Sequence, residues 1–254
     1  MMMGTIRKKE LIEYMNSNYS AKLQIMADFF NVSVMTIRRD LLQLENQGFV
    51  TISRGVAYLN AGTTLELSSA LKDSQMLKEK KRIAKRAVQF ISEGSTVFFD
   101  NGTTVRELAY EIVQMKNLTV ITNSLLVINI LCNFPHIACL VVPGALDHKS
   151  MGFFDATTCT YMARMNIDIA FFGAEGVDTE AGFMVPSADD AEYKRVISVN
   201  SADVVVLADS SKIGKKSLVR YADFDTVNVF VTDNKCDQAV LDRIQKKKAE
   251  IIVA

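Results

Sequence analysis

The sequence predicts an α/β protein of two unequal parts: a small N-terminal part that begins with helices, and a larger part with a mostly parallel sheet. Residues 1–58 begin with three stretches whose apolar residues recur at helical spacing. From residue 76 onwards, short apolar runs alternate with helix-length stretches, as in parallel α/β folds. Between the two parts, residues 59–75 are polar and weakly patterned, and we predict a linker there.

Composition narrows the class of protein. Of the 254 residues, 49% are hydrophobic and 23% are charged, which is ordinary for a globular protein. The formal net charge is zero, so any attraction to a polyanion must be local. The N-terminus lacks a signal-peptide pattern, and the four cysteines (Cys132, Cys139, Cys159 and Cys236) lack CxxC spacing. We therefore expect a cytoplasmic protein with free thiols, no metal and no cofactor.

Three helices are predicted in residues 1–58. The first covers residues 5–17, with Thr5 as a possible N-cap and with an apolar face formed by Ile6, Leu11, Ile12 and Met15. The second runs from an N-cap at Ser20 to Phe30, with an inward stripe formed by Leu23, Met26, Ala27 and Phe30. A turn of about three residues, 31–33, then leads into the third helix.

The third helix, residues 33–48, has an apolar back. Ile37, Leu41 and Leu44 follow the i, i+4, i+7 spacing of a buried face. Ser33 is a good N-cap for its first amides, and Gly48 is a good stop.

The front of the same helix is basic. At about 100° per residue, Met35 and Arg39 fall opposite the apolar back, with Thr36 and Arg38 on the flanks. A helix of this kind suits the major groove of DNA, because side chains near its N-terminus meet base edges and its arginines meet phosphates. An ordinary amphipathic helix with two solvated arginines fits this stretch equally well when it is taken alone.

Two short strands, residues 48–52 and 56–58, follow around Ser53-Arg54-Gly55. Helices, a short turn, a basic helix and a β-hairpin make the winged helix-turn-helix pattern. The arginine at the tip of the wing is suited to a phosphate or to the minor groove. The predicted DNA contacts are Ser33, Met35, Thr36, Arg38, Arg39 and Arg54.

This stretch resembles the signature of the DeoR-type bacterial transcriptional regulators. The resemblance rests on Ser33, the run 36–41 (TIRRDL), Leu44 and Gly48. The wing departs from the family pattern, in which an arginine, a histidine and a glycine pair are usual. Ile52 and Arg54 stand where the arginine and the histidine are expected, and Val56 replaces the second glycine. The resemblance implies a DNA-binding regulator, most often a repressor.

In the larger part, residues 78–86 (KEKKRIAKR) begin an amphipathic helix, and we favour a solvated basic face there over a phosphate-binding one. Runs such as 203–207 (DVVVL) favour strands that are buried on both faces, hence a mostly parallel sheet. The strand candidates are 95–99, 118–122, 137–142, 168–172, 203–207, 227–231 and 250–253.

Ligands of parallel sheets bind beyond the carboxyl ends of the strands. Polar clusters follow five of the runs, at 100–104 (DNGTT), 122–124 (TNS), 143–144 with Gly152, 173–178 with Gly182, and 209–212 (DSSK). Each cluster alone is ordinary turn chemistry. Five of them on one expected edge indicate a site, with a Gly-Thr-Thr turn that can cradle an anion and a lysine that can neutralise it.

The family resemblance extends over these clusters and so covers nearly the whole chain. It implies an effector domain similar to the ribose-5-phosphate isomerase and glucosamine-6-phosphate deaminase fold, one that senses a phosphorylated sugar. We expect the sugar phosphate to lie on the 100–104 cradle and near Lys212. The predicted effector contacts are Asp100, Gly102, Thr103, Thr104, Asn123, Ser124, Gly144, Gly152, Glu175, Lys194 and Lys212.

The alternative function is a sugar-phosphate isomerase or deaminase with an accessory winged helix. The isomerases carry an Asp-Gly-Ala-Asp stretch, and 172–175 (FGAE) resembles it with Phe172 in place of the first aspartate. Glu192 and Lys194 lie near the position of the isomerases' downstream Glu-Lys pair. Because a proton shuttle needs a positioned base, the lost carboxylate favours binding without turnover. The expected partners are a double-stranded operator, a phosphorylated sugar and, because operators have two half-sites, a second copy of the chain, with no membrane.

Overall fold

The computed structural model describes residues 7, 10–12, 14, 15, 18, 20–46, 50–59 and 76–254. Contacts divide the chain into two compact units, Met1–Leu71 and Lys72–Ala254. The predicted cap Thr5, the predicted helix stop Gly48 and all of the predicted linker except Leu59 lie outside the described residues. Within those residues, no helix combines the length and the apolarity needed to cross a membrane.

The first unit combines helices with a three-stranded antiparallel sheet. Residues 7, 10–12, 14, 15 and 18 are helical, and two helices follow: α1 (Leu23–Phe29) and α2 (Val34–Asn46). The strands are β1 (Ser20–Lys22), β2 (Val50–Ser53) and β3 (Val56–Leu59), in the order β1-β3-β2. The predicted winged helix-turn-helix is therefore present, with a third strand added to the wing.

The prediction that Ser20 caps the second helix is wrong. Ser20 is extended and opposite Tyr58 of β3. Helix α1 begins after Lys22, whose side chain makes no capping bond, and the Leu23 amide donates to the carbonyl of Gly55 at 3.0 Å. Pairing with the wing satisfies this backbone, so a local cap is not needed.

The core of the first unit contains the apolar faces predicted for all three helices. Its buried members are Leu11, Ile12, Met15, Leu23, Met26, Ala27, Ile37, Leu41, Leu44, Val50 and Ala57. Ile6, predicted to share the first of these faces, lies outside the described residues. Phe30, the last residue of the predicted second stripe, is only partly buried against this core.

The second unit alternates strands and helices. Its strands are β4 (Thr96–Phe99), β5 (Thr119–Thr122), β6 (Ala138–Val141), β7 (Ala145–Asp147), β8 (Gly152–Phe154), β9 (Ile167–Gly173), β10 (Gly176–Asp178), β11 (Gly182–Val185), β12 (Ser201–Leu207), β13 (Val219–Ala222), β14 (Val229–Thr232) and β15 (Glu250–Val253). Its α-helices are α3 (Leu77–Ala87), α4 (Thr103–Glu111), α5 (Leu125–Leu131), α6 (Ala156–Met162), α7 (Ala188–Val199) and α8 (Gln238–Ile244). Short 3₁₀ turns occupy Val88–Phe90 and Ser210–Lys212.

Seven strands form one sheet in the order β15-β14-β12-β9-β4-β5-β6, and every pairing in it is parallel. These are the seven strands that the apolar runs predicted, so the predicted fold class is confirmed. Their carboxyl ends share one edge. The residues that follow β5, β4, β9 and β12 consequently lie side by side.

Both faces of this sheet are covered. Neighbouring strand residues alternate between two cores: Phe99 and Phe171 pack with helices α3, α4 and α5, while Phe98 and Phe172 pack with α6, α7 and α8. Burial on both faces explains why these strands lack a polar alternation.

Other features of the second unit differ from the sequence prediction. Strands β7 and β8 form a hairpin, and β10, β11 and β13 form a small antiparallel sheet, neither of which was predicted. The basic segment 78–86 is only partly solvated, because Lys80 and Glu79 are buried at 3% and 7% exposure. The helix has the predicted amphipathic pattern, with Ile83, Ala84 and Ala87 buried.

Candidate functional site

Helix α2 has a rigid, capped N-terminus. The Thr36 amide donates to Ser33 Oγ at 3.1 Å, and the two hydroxyl groups lie 2.9 Å apart. The polar groups of Ser33 and Thr36 are thus engaged with each other. Their main part in the structure is to hold the first turn.

The buried side of α2 is tied to its surroundings by charge as well as by apolar packing. Asp40 is 2% exposed, and its Oδ2 lies 2.6 Å from Nε of Arg7 in the preceding helical segment. On the opposite side, Glu45 Oε1 accepts from the Ile52 amide of the wing at 2.6 Å. Helix α2 is therefore linked by polar contacts to the helical segment that contains Arg7 and to the wing.

The exposed face of α2 carries the side chains that can reach DNA. Met35 is 73% exposed, and the Arg39 side chain is 71% exposed although its Nε lies 3.9 Å from Asp40. An open groove along the helix is lined by Met35, Thr36, Arg38, Arg39 and Leu42. The sequence did not single out Leu42, although its i+7 spacing from Met35 would have placed it there.

Arg54 is at the tip of the wing, as predicted. Arg54 and Gly55 have φ angles of 49° and 76°, so both central residues of the turn are left-handed. This is the turn that matches the twist of a two-residue hairpin. It leaves the Arg54 side chain exposed.

At the carboxyl edge of the parallel sheet, Asp100 forms part of a buried charged cluster. Lys194 Nζ donates to Asp100 Oδ1 at 2.7 Å and lies 2.7 Å from Asp190 Oδ1. Both Asp100 and Lys194 are 1% exposed. The cluster ties helix α7 to the end of strand β4.

The same cluster fixes the neighbouring strand. Asp100 Oδ2 accepts from the Gly173 amide at 2.9 Å, and Tyr221 Oη donates to the Gly173 carbonyl at 3.0 Å. Lys194 Nζ lies 5.7 Å from the ring centroids of both Phe172 and Tyr221. The ammonium group is therefore enclosed by carboxylates and aromatic rings, and it holds Asp100 in position.

Burial lowers the pKa of Lys194, but the negative charges of Asp100 and Asp190 outweigh burial, and the net shift is upward. Burial also raises the pKa of Tyr193 and Tyr221, and the same two carboxylates add to both shifts. Lys194 is therefore a cation at neutral pH, and both phenols are neutral.

The Gly-Thr-Thr turn starts helix α4. Gly102 is the N-cap residue, no side chain caps the first amides, and Thr103 and Thr104 are 7% and 6% exposed. A Cβ atom on Gly102 would lie 3.3 Å from Gly173 Cα, so a larger residue here would have to push the end of strand β9 away by a few tenths of an ångström. First-turn amides of this kind can bind an anion.

Strand β5 ends in Thr122-Asn123-Ser124, where two of the three side chains support the fold. Thr122 Oγ1 donates to the Phe99 carbonyl at 2.6 Å and accepts from the Ser124 amide at 3.0 Å. Ser124 Oγ accepts from the Val127 amide and caps α5. Asn123 is fully buried, and neither Oδ1 nor Nδ2 has a partner within the described part of the chain.

The β7–β8 hairpin packs on this edge through Gly152. A Cβ atom there would lie 2.7 Å from Asn101 Nδ2, and the Phe153 amide donates to the Asn123 carbonyl at 2.9 Å. Gly144, at the start of the hairpin, lies elsewhere: a Cβ atom on it would lie 2.5 Å from Thr158 Oγ1 of helix α6. Gly152 is thus brought to the site, whereas Gly144 serves hairpin packing.

On the other side of β4, Glu175 and Lys212 form an ion pair. Lys212 Nζ lies 2.8 Å from Glu175 Oε2, and the two side chains are 15% and 25% exposed. Asp233 fixes the loop that carries Lys212, because it accepts from the Ser210 amide at 2.6 Å. Glu192, which the sequence associated with this site, is instead 62% exposed and pairs with Arg195 on the surface.

Comparisons with known proteins match both units. A family model described as the DeoR-like helix-turn-helix domain matches residues 7–63, and one described as the DeoR C terminal sensor domain matches residues 75–234. The chain belongs to the DeoR family. This confirms the resemblance carried by the helix α2 signature.

Three relatives of this DeoR-family chain match it over at least nine tenths of both chains. It is 31% identical to the HTH-type transcriptional regulator GlpR of Haloferax volcanii, over 99% of this chain and 98% of the relative. It is 33% identical to the lactose phosphotransferase system repressor of Staphylococcus epidermidis, over 90% and 91%. It is 30% identical to the HTH-type transcriptional regulator IolR of Bacillus subtilis, over 92% and 93%.

Solved structures similar to this DeoR-family chain include ribose 5-phosphate isomerase A from Methanocaldococcus jannaschii, with a TM-score of 0.42 and 19% identity over 56% of each chain. Another is eIF2B beta from Chaetomium thermophilum, with a TM-score of 0.43 and 17% identity over 63% of this chain and 49% of that one.

The sequence analysis did not predict two residues of the buried cluster, Asp190 and Tyr221. Asp190 could have been found, because it precedes Lys194 by four residues on one helix and opposite charges at that spacing pair. Tyr221 gave no such signal, since it reaches Gly173 from a strand 48 residues away.

Proposed function

We propose that this DeoR-family chain is a sequence-specific DNA-binding transcriptional repressor of sugar-metabolism genes, and that a phosphorylated sugar controls its binding to DNA. The relatives GlpR, IolR and the lactose phosphotransferase system repressor support the regulatory class by their names. The observation that carries the DNA-binding part is the geometry of helix α2.

Helix α2 has the properties of a recognition helix. Its back is fixed by Ile37 and Leu41 at 0% exposure, while Met35 and Arg39 project from the front. Arginine makes bidentate bonds to guanine, and an apolar group contacts the thymine methyl group. We assign base contacts to Met35 and Arg39, and phosphate contacts to Arg38 and Arg54.

The arrangement of the whole molecule is part of the proposal. Residues 1–58 are the DNA-binding domain, 59–75 the linker, and 76–254 the effector-binding and oligomerisation domain. The protein acts in the cytoplasm as a homo-oligomer, because one recognition helix contacts one half-site and operators commonly have two.

The effector site spans four neighbouring strand ends. The phosphate lies on the first amides of α4, where Thr103 and Thr104 supply hydroxyl groups. The ends of β4 and β12 are separated by β9, and at about 4.8 Å per strand they are about 10 Å apart. A phosphorylated sugar spans that distance, and Lys212 reaches it by exchanging Glu175 for the anion.

We infer binding without turnover. Phe172 is 0% exposed and packs in the core, so its position supplies no carboxylate. Glu175 is paired with Lys212, and Lys194 is held by two carboxylates. Once Lys212 exchanges Glu175 for the anion, Glu175 is the one carboxylate that the FGAE stretch leaves at the site, and the second carboxylate of the isomerases' stretch is missing because Phe172 stands in its place.

The test is a selection of duplexes from a randomised library with the full chain, followed by fluorescence anisotropy on the selected and scrambled sequences. We expect the selected duplex to bind at least 10³-fold more tightly, as for specific DNA-binding proteins. Equal affinity for both duplexes contradicts the DNA-binding assignment. Isomerised or deaminated product from a sugar-phosphate panel contradicts the assignment of binding without turnover.

A further inference from the structure

Asn123 stands apart from its neighbours in the Thr122-Asn123-Ser124 turn. The hydroxyl groups of Thr122 and Ser124 are both used by the fold, whereas the Asn123 amide has an acceptor and a donor that are both buried and unpaired in the described structure. Most buried polar groups in proteins are hydrogen-bonded, so an amide with two unpaired atoms calls for an explanation.

Hydrogen bonds on both sides hold the backbone at Asn123 in place. Its carbonyl accepts from the Phe153 amide of the β7–β8 hairpin at 2.9 Å, and the flanking Thr122 side chain is fixed to Phe99 at 2.6 Å. The amide is consequently held at 0% exposure in a fixed backbone frame.

The position of Asn123 places it beside the anion site. Strand β5 pairs with β4 so that Thr122 is opposite Phe99, and Asn123 follows at the level of Asp100. Two residues further on, Gly102 begins helix α4 with no side-chain cap on its first amides. One edge of the sheet therefore offers anion-binding amides and, one strand away, a neutral group that both donates and accepts.

A hydroxyl group matches Asn123 in both respects, because it can donate to Oδ1 and accept from Nδ2. We propose that Asn123 hydrogen-bonds a hydroxyl group of the phosphorylated sugar, and that this contact sets the preference for a sugar phosphate over inorganic phosphate. The proposal rests on the proposed effector site and adds to it the residue that recognises the sugar.

The test compares Asn123→Leu with Thr122→Val in the full chain. Leucine has nearly the shape of asparagine without its polar atoms, and Thr122→Val removes an equally buried polar group that already has partners. Isothermal titration uses inorganic phosphate, ribose 5-phosphate, glucose 6-phosphate, fructose 1-phosphate and glycerol 3-phosphate as probes. Thermal unfolding of each ligand-free variant is followed by circular dichroism.

For the tightest sugar-phosphate probe, we expect Asn123→Leu to weaken binding about 10- to 100-fold, since one or two buried hydrogen bonds are lost. The affinity of Asn123→Leu for inorganic phosphate should stay within about twofold of the wild-type affinity, because the substitution leaves the first amides of helix α4 unchanged. The ligand-free variant should have an equal or higher Tm, since it no longer buries an unpaired amide. Thr122→Val should lower Tm and keep the wild-type ratio of affinities.

Three results overturn the proposal. If Asn123→Leu keeps the wild-type ratio of sugar phosphate to inorganic phosphate affinity, Asn123 does not recognise the sugar, while the effector site itself stands. If Asn123→Leu lowers Tm and weakens both ligands equally, Asn123 is a structural residue. A wild-type chain that binds no probe more tightly than inorganic phosphate removes the effector part of the proposed function as well.

Discussion

Replacing Lys194 with methionine tests how the buried charged cluster beside the proposed effector site is held together. Methionine keeps the length of the side chain but removes the cation that lies between Asp100 and Asp190. Both carboxylates would then share a site at the sheet edge without a counter-charge. We expect a large loss of stability in the second unit.

The magnitude follows from burial. Lys194 is 1% exposed, and removing one partner of a buried ion pair costs about 3–5 kcal/mol. At about 2–4 °C per kcal/mol for a unit of this size, Tm should fall by roughly 6–20 °C. Lys212→Met is the matched control, since its pair with Glu175 keeps contact with solvent at 15% and 25% exposure and should cost less to break than the fully buried cluster.

The pH range of this loss follows from the raised pKa of Lys194. In the wild type, the raised pKa of Lys194 keeps its stabilising charge fully present below the unfolded value of about 10.4. Stability from Lys194 is therefore constant between pH 5 and 8 and is lost only when the pH rises through the folded pKa. The deficit of the variant should therefore be fully present at pH 8, because the wild-type lysine that it lacks is fully charged there.

The assay is urea unfolding at pH 8, followed by far-UV circular dichroism because the chain has no tryptophan. We expect Lys194→Met to lose several times more stability than Lys212→Met. A loss no larger than that of Lys212→Met refutes the assignment of Lys194 as the counter-charge of this cluster.

Three further predictions concern the two proposed binding surfaces. Arg39→Ala should weaken operator binding by about 1–3 kcal/mol, measured by fluorescence anisotropy. Arg38→Ala should weaken binding to all duplexes alike and lower the slope of log affinity against log salt concentration by about one unit. Unchanged binding in both variants contradicts the assignment of α2 as the recognition helix. Replacing a contacted thymine with uracil removes one methyl group, and at about 0.8 kcal/mol per buried methyl group this should weaken wild-type binding about fourfold. The same replacement should leave the DNA affinity of Met35→Ala unchanged. Equal effects on both proteins contradict the contact between Met35 and the thymine methyl group. Lys212→Ala should weaken sugar-phosphate binding about 10- to 100-fold by isothermal titration, and Glu175→Gln should strengthen it by releasing the lysine; a shift in the same direction for both contradicts the proposed exchange of partners.

The sequence predicts the large sheet well because its five inner strands are largely buried on both faces. Runs such as 203–207 have no alternation, and such strands need helices on both sides, which implies parallel pairing. The wing was predictable from turn chemistry around Arg54-Gly55. The prediction for Ser20 was wrong because serine is a good N-cap residue in its local sequence. Its extended conformation depends instead on a partner strand that begins 36 residues later, at Val56.

The candidate site was predictable in outline, since the carboxyl ends of parallel strands must share an edge. The hydrogen bonds and ion pairs within the site were not predictable from the sequence. Lys194 meets Asp100 across 94 residues of sequence, and no local pattern identifies that pairing. That Asn123 alone has an unpaired side chain in its turn depends on which neighbours Thr122 and Ser124 find in three dimensions.

The most direct test of the account titrates phosphorylated sugars into a pre-formed complex of the full chain and its selected duplex. We predict that at least one phosphorylated sugar changes the affinity for DNA at least tenfold and that its unphosphorylated form does not. Because coupling is reciprocal, the duplex must change the affinity for that sugar phosphate by the same factor. DNA affinity that stays constant across the panel, while the same sugar phosphates bind the protein, would contradict the account.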